Sequence, residues 1–289
     1  VKPAAFDYHR AHDLADAVDL LADLAERGRE PKLIAGGQSL MPMMNFRLAR
    51  PSDLVDLGRV RELPDLSEIE PLGTQLRLGA LVTHRQVELA DLGAEFAVLA
   101  TAMRYVGHLP IRSRGTVAGS LVHGDATAEW CLLALLLDAV IVARGPHGTR
   151  EIPAAEMFHG FYTTAVEPDE VVSEVRFTRP ARHAQLTEFA RRAGDFATVA
   201  AAVALDTGPV PGGRVVLGGV APAPIRIPEA EAVLAGEPAG PEVFAECARV
   251  AADAIDPPSD AAGSADYRRA LTRTLVARGL EQAWTGGDR

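Results

Sequence analysis

The hydrophobic pattern changes period along the chain, and those changes divide it. Leu14, Val18, Leu21 and Leu24 recur at helical spacing within a helix predicted over 13–27, with Gly28 as its stop. An extended piece over 2–8 precedes it. Lys32 to Ala35 and Leu54 to Leu57 read as short buried strands, with a helical turn after Pro42 between them. Further on, 75–80 alternates like a strand, 96–106 reads as a helix, and 129–137 is apolar enough for a core helix. Segment 115–123 reads as a glycine-bearing turn or strand. A hairpin is expected over 139–143 and 149–152 around Gly145-Pro146-His147-Gly148, with a returning strand at 171–177. Beyond 178 the pattern predicts a small antiparallel sheet from 186–192, 198–205 and 214–220, then amphipathic helices at 241–255 and 265–284. The expected class is α+β, in three parts: 1–58, 59–177 and 178–289.

Composition narrows the function classes. The chain of 289 residues has a formal net charge of −10 and no Lys/Arg cluster, which argues against a general nucleic-acid role. Two cysteines, Cys131 and Cys247, supply neither a disulfide framework nor the four thiolates of an iron–sulfur cluster. Both are expected as small buried hydrophobes. No run of about 18 apolar residues predicts a membrane span. The charged opening lacks the apolar core of a secretory signal, so a cytoplasmic location is expected.

Two segments carry candidate chemistry. In Ala35-Gly36-Gly37-Gln38-Ser39-Leu40 a strand ends on two glycines, where converging main-chain N–H groups can hold an anion without cationic side chains. From the Gly-Gly pair alone, a plain β-turn before a helix is the commoner reading. Neither a P-loop nor a G-x-G-x-x-G fingerprint occurs, so any dinucleotide binds in another manner. The second segment, Ile111 to Asp125, again combines Gly, Ser and Thr, and is followed by Glu129. Taken singly, Asp125 suits a helix N-cap and Glu129 a first-turn acid. His9 and His12 lack further ligands for a metal. Met41, Met43 and Met44 suit core packing.

Together, AGGQSLMPMMNFRLARP and IRSRGTVAGSLVHGDATAEW resemble the two FAD-binding signatures of the molybdenum-hydroxylase flavoprotein family. KPAAFDYHRAHDLADAVDLLA, MFHGFYTTAVEPDEVVSEVRF, EFARRAGDFATVAAAVAL and SADYRRALTRTLVARGLEQA extend that resemblance, in order, over nearly the whole chain. It implies a two-subdomain FAD-binding domain of the vanillyl-alcohol-oxidase/PCMH type, followed by a small antiparallel sheet with helices. It implies FAD held by Ile34, Ala35, Gly36, Gly37, Gln38, Ser39 and Leu40 at the diphosphate. Thr116, Ala118, Gly119 and Ser120 would line a second strip. Asp125 or Glu129, the latter favoured, would hold polar groups of the cofactor. Ile111, Val172, Asp195 and Phe196 would lie near the flavin ring. Implied partners are a molybdopterin-binding large subunit and a [2Fe–2S] small subunit. The implied role is electron transfer through FAD to NAD, a quinone or oxygen, with no acid–base catalyst in this chain. A stand-alone FAD-dependent oxidase or dehydrogenase of the same fold is the alternative. Three departures stand out. Ala118-Gly119 replaces the family's usual Gly-Gly, and Asp125-Ala126 its Asp-Pro. Thr187-Glu188-Phe189-Ala190 lacks the lysine that many relatives carry before Arg191-Arg192.

Overall fold

Asp13 turns the chain from an extended strand, β1 (Asp7–Arg10), into helix α1 (Leu14–Glu26). Its carboxylate accepts from the Asp16 N–H at 2.8 Å, satisfying one donor that a helix start leaves open. The computed structural model describes residues 2–58 and 64–286. Helix α1 buries Leu14, Ala17, Val18, Leu21 and Leu24, the face expected from their spacing. Strand β2 (Pro31–Ile34), helix α2 (Leu40–Asn45) and strand β3 (Asp53–Asp56) follow, and the strands form a parallel sheet in the order β1-β3-β2. Asp53, buried at 1% exposure, ties this unit together. It accepts from Arg29 at 2.7 Å, His9 at 2.8 Å and Ser52 at 2.7 Å, and the Arg29 guanidinium above all holds it well below the usual carboxylate range. His9 is therefore a structural partner on β1, and no cluster able to hold a metal occurs among the described residues.

The middle of the chain contributes α3 (Pro64–Ser67), β4 (Ile69–Leu72), β5 (Gln75–Gly79), α4 (His84–Leu89), α5 (Gly93–Ala102), α6 (Leu109–Arg114), α7 (Val117–His123) and α8 (Glu129–Leu136). Then come β6 (Val140–Gly145), β7 (Gly148–Pro153), the short pair β8 (Phe158–Gly160) and β9 (Thr163–Thr164), and β10 (Val171–Phe177). Strands β4, β5, β10, β6 and β7 make one antiparallel sheet in that order. Helix α8 is apolar all round because it is enclosed all round: every residue from Trp130 to Leu136 is buried. Segment 115–123 departs from its predicted turn or strand. Thr116 caps α7 by accepting from the Gly119 N–H at 3.1 Å, and Gly124 ends the helix in the left-handed region. Asp125 is not a helix cap. It closes a turn on Thr127, accepting from the Thr127 N–H at 2.8 Å and hydroxyl at 2.7 Å. Of the three methionines, Met44 alone is fully buried.

The last part carries β11 (His183–Phe189), β12 (Val199–Asp206), β13 (Gly212–Gly218), β14 (Ile225–Arg226), α9 (Pro228–Leu234), α10 (Pro241–Asp253) and α11 (Ala265–Gly286). Its four strands run antiparallel in sequence order. Alternation on β12 builds two cores at once. Ala200, Ala202 and Ala204 join the core around Trp130, whereas Val199, Ala201, Val203 and Leu205 pack with α10 and α11. The alanines let α8 lie close on the sheet. Arg214, fully buried, donates to the Leu136 carbonyl at the end of α8 and fixes the seam. Cys131 and Cys247 are buried and free, as expected.

Candidate functional site

Strand β2 ends at Ile34, and the backbone then turns through Gly37 at φ +72° into α2. Among the described residues, the N–H groups of Gly36, Gly37, Gln38 and Ser39 donate no hydrogen bond within the protein. Four consecutive unmet donors on a half-buried turn are an anion cradle awaiting acceptors. The Ser39 side chain makes no capping bond either, so its hydroxyl is available beside them. Gln38 braces the turn by donating from its amide to the Gly36 carbonyl at 3.1 Å.

The second strip lies directly against the first. A Cβ on Gly36 would fall 2.1 Å from the Arg114 carbonyl oxygen and 2.8 Å from the Gly115 Cα, so only glycine allows this approach. Helix α6 ends at Arg114, Thr116 bridges to Thr83, and α7 begins. Thr116 and Ala118 are buried, Gly119 is exposed and Ser120 half-buried, so the strip presents its third and fourth helical residues outward. Among the described residues, the Ala118 N–H also donates to nothing.

A buried pair supports this strip from below. The Trp130 indole N–H donates to His84 Nδ1 at 2.9 Å, and the rings stack with centroids 6.1 Å apart. Since indole is a donor only, His84 is the neutral tautomer carrying its proton on Nε2. Burial, and then the Arg112 charge, push the His84 pKa down to about 4. The His84 N–H donates to the Gly115 carbonyl at 3.0 Å. The sequence reading missed this pair. Its available signal was Thr83-x-x-Gln86, which forms a capping box at the start of α4.

Acidic groups gather where α7 gives way to α8. Asp125 is buried and also accepts from the Tyr162 hydroxyl at 3.3 Å. Tyr162 sits at φ +52° with its ring 5.0 Å from His123. Glu129 opens α8, and burial, then the charge of Asp125, raise its pKa to about 7.

The loop after β11 returns to α6. A Cβ on Gly194 would meet the His108 ring at 2.6 Å, which sets the neighbouring Asp195 and Phe196 near the start of α6. Asp195 is exposed and Phe196 is 70% exposed, an unusual state for a phenylalanine. Ile111 is half-buried on α6, while Val172 is buried within β10 and belongs to the core around Trp130. The structure thus brings residues 34–40 onto 111–120 and brings loop 193–196 to α6.

Residues 4–180 match the FAD binding domain in molybdopterin dehydrogenase, and residues 184–283 match the CO dehydrogenase flavoprotein C-terminal domain. The chain belongs to the molybdenum-hydroxylase flavoprotein family. It is similar to the nicotine 6-hydroxylase medium subunit of Paenarthrobacter nicotinovorans, 36% identical over 98% of this chain and 99% of that one. It is also similar to the carbon monoxide dehydrogenase medium chain of Hydrogenophaga pseudoflava, 34% identical over 98% of both. Among solved structures, quinoline 2-oxidoreductase from Pseudomonas putida 86 superposes with a TM-score of 0.92 at 34% identity, covering 100% of both chains. This member of the family is accordingly an FAD-dependent oxidoreductase subunit, and FAD is its cofactor. The unmet amides of 36–39 fit such a ligand, because a diphosphate supplies the acceptors they lack. No helix among the described residues is long and apolar enough to cross a membrane.

Proposed function

We propose that this chain is the FAD-carrying electron-transfer subunit of a molybdenum-containing hydroxylase. In this reading a molybdopterin-binding large subunit oxidises the substrate, and a small subunit with [2Fe–2S] clusters delivers the electrons. This chain hands them to NAD, a quinone or oxygen. The observation that carries the reading is the run of unmet N–H donors from Gly36 to Ser39, pressed against the second strip. Two cysteines leave iron–sulfur ligation to another chain.

The residues divide the work. Ile34 to Leu40 cradle the diphosphate of FAD through main-chain amides, with the Ser39 hydroxyl beside them. Thr116, Ala118, Gly119 and Ser120 form the opposite wall, and Glu129, with Asp125, holds hydroxyl or ring groups of the cofactor. Ile111, Val172, Asp195 and Phe196 border the flavin ring, Phe196 offering an aromatic face at its rim. Bound flavin supplies the redox chemistry, accepting electrons singly and releasing them in pairs. The protein binds it, orients it and sets its potential. Division at 58 and 177 places the two strips on separate FAD-binding subdomains, with 178–289 as the third unit.

Absorption spectroscopy and affinity capture of the purified chain test the reading together. The expected result is flavin bands without iron–sulfur absorption, and capture of one larger and one smaller subunit. A lone yellow chain that reduces its flavin directly with a small-molecule substrate would instead mark a stand-alone flavoenzyme.

A further inference from the structure

Strand β11 points alternate side chains into two environments. Thr187 faces α11, where its hydroxyl donates to the Leu275 carbonyl at 2.9 Å. Leu186 and Glu188 therefore face the other way, and Leu186 belongs to the core around Trp130. Glu188 stands opposite Ala200 on β12, whose methyl leaves room for the carboxyl. Helix α8 packs against β12 and β13, and its first residue is Glu129. Two acids distant in sequence are thus close enough to interact electrostatically at the seam between the FAD-binding domain and the C-terminal sheet.

Glu188 Oε2 is buried and has no hydrogen-bond partner among the described residues. An ionised carboxylate left in that state is expensive, and such a group keeps its proton instead. Burial, then the negative charge of Glu129, raise the Glu188 pKa to about 8. The charge of Glu129 helps to retain the proton on Glu188. Among the described residues, no cation offsets this charge. Besides the apolar β12 residues opposite, α5 carries one charged residue, Glu95, which is exposed. Arg191 and Arg192 follow β11 on the exposed loop, where Arg191 donates to the Ala261 carbonyl. The charged residues of α11 lie on the opposite face of the sheet, Arg268 being paired with Asp260.

We propose that Glu188 supplies the cofactor cleft with a neutral carboxyl donor: its protonated acid donates a hydrogen bond to an acceptor atom of bound FAD, and Glu129 keeps that proton in place. The inference rests on the reading that FAD occupies the cleft between the two glycine strips and the C-terminal sheet. It makes FAD affinity pH-dependent in a defined direction. Binding selects the protonated acid, so affinity is full below the free-protein pKa and declines above it.

The test is FAD titration of the flavin-free full-length chain, followed by fluorescence quenching from pH 7 to 9.5, a range below ionisation of the flavin ring itself. With a pKa of about 8 and no binding to the ionised form, the wild-type Kd rises about thirtyfold across that range. Glu188→Gln keeps a donor but cannot ionise, and its Kd stays flat at a value near that of the wild type at pH 7. Glu188→Ala has no donor, and its Kd is flat and weaker. Glu129→Gln removes the like charge, so the rise begins at lower pH. A flat wild-type profile, or the same slope in wild type and Glu188→Gln, overturns the proposal. Absence of FAD uptake at every pH overturns the site reading beneath it, a result distinct from pH-independent binding.

Discussion

Gly36→Ala is the sharpest perturbation, because the obstacle is backbone on both sides. The new methyl would lie 2.1 Å from the Arg114 carbonyl oxygen, where ordinary contact begins at 3.4 Å. The strips must therefore part by roughly 1.3 Å, since neither wall is a flexible side-chain end. A hydrogen bond of about 2.9 Å stretched by that amount is no longer one. If two of the four free amides lose the diphosphate, at about 1.5 kcal/mol each for bonds to a charged acceptor, binding weakens by about 3 kcal/mol, or a hundredfold in Kd. Overpacking should also lower stability by about 1–3 kcal/mol. Fluorescence titration gives the Kd, and thermal melting with far-UV circular dichroism confirms a folded protein. Gly208→Ala is the control: a Cβ there meets nothing within 4 Å, and its effect should stay within about 0.5 kcal/mol. Gly36→Ala binding FAD within threefold of wild type, at unchanged melting temperature, would refute the reasoning.

Three further outcomes follow from the same geometry. Folded His84 titrates near 4 against an ordinary value of 6.5, so it stays neutral in the fold while the unfolded chain protonates. It therefore stabilises fully above pH 6.5, and that stability is lost as pH falls from 6.5 toward 4, by about 3 kcal/mol in all; denaturant midpoints of wild type and His84→Gln should converge over that window. Arg268, buried, donates to both oxygens of Asp260 at 2.7 and 2.8 Å and to the Thr198 and Gly219 carbonyls, so Arg268→Ala strands two carbonyls and should cost about 2–4 kcal/mol in urea unfolding, with Arg268→Lys recovering only part. Burial raises the thiol of Cys247 to about 12 and that of Cys131 well above its ordinary value, so a thiol reagent should react with neither in the native protein and with both after unfolding.

Legibility in the sequence followed locality. Helix α1 was readable because its cap, apolar face and glycine stop lie within one contiguous window. Strands β10, β11, β12 and β13 were readable because their apolar runs are long enough to show their period. Helices α6 and α7 were not, since six or seven residues give too few turns for a 3.6 period to emerge from glycine and threonine. Strands β4 and β14 and helix α9 escaped for the same reason, as short elements defined by their neighbours. At the site, the glycine strips were visible as composition, but their mutual contact through Gly36 and Arg114 was not, because it joins distant segments. The His84–Trp130 pair and the electrostatic interaction of Glu129 with Glu188 are long-range in the same sense.

The most direct test is a crystal structure of the full chain with FAD bound. The account predicts diphosphate oxygens within hydrogen-bond distance of the Gly36, Gly37, Gln38 and Ser39 amides, with no cationic side chain needed between them. A diphosphate seated elsewhere, with those four amides still unpaired or turned onto protein acceptors, would contradict it.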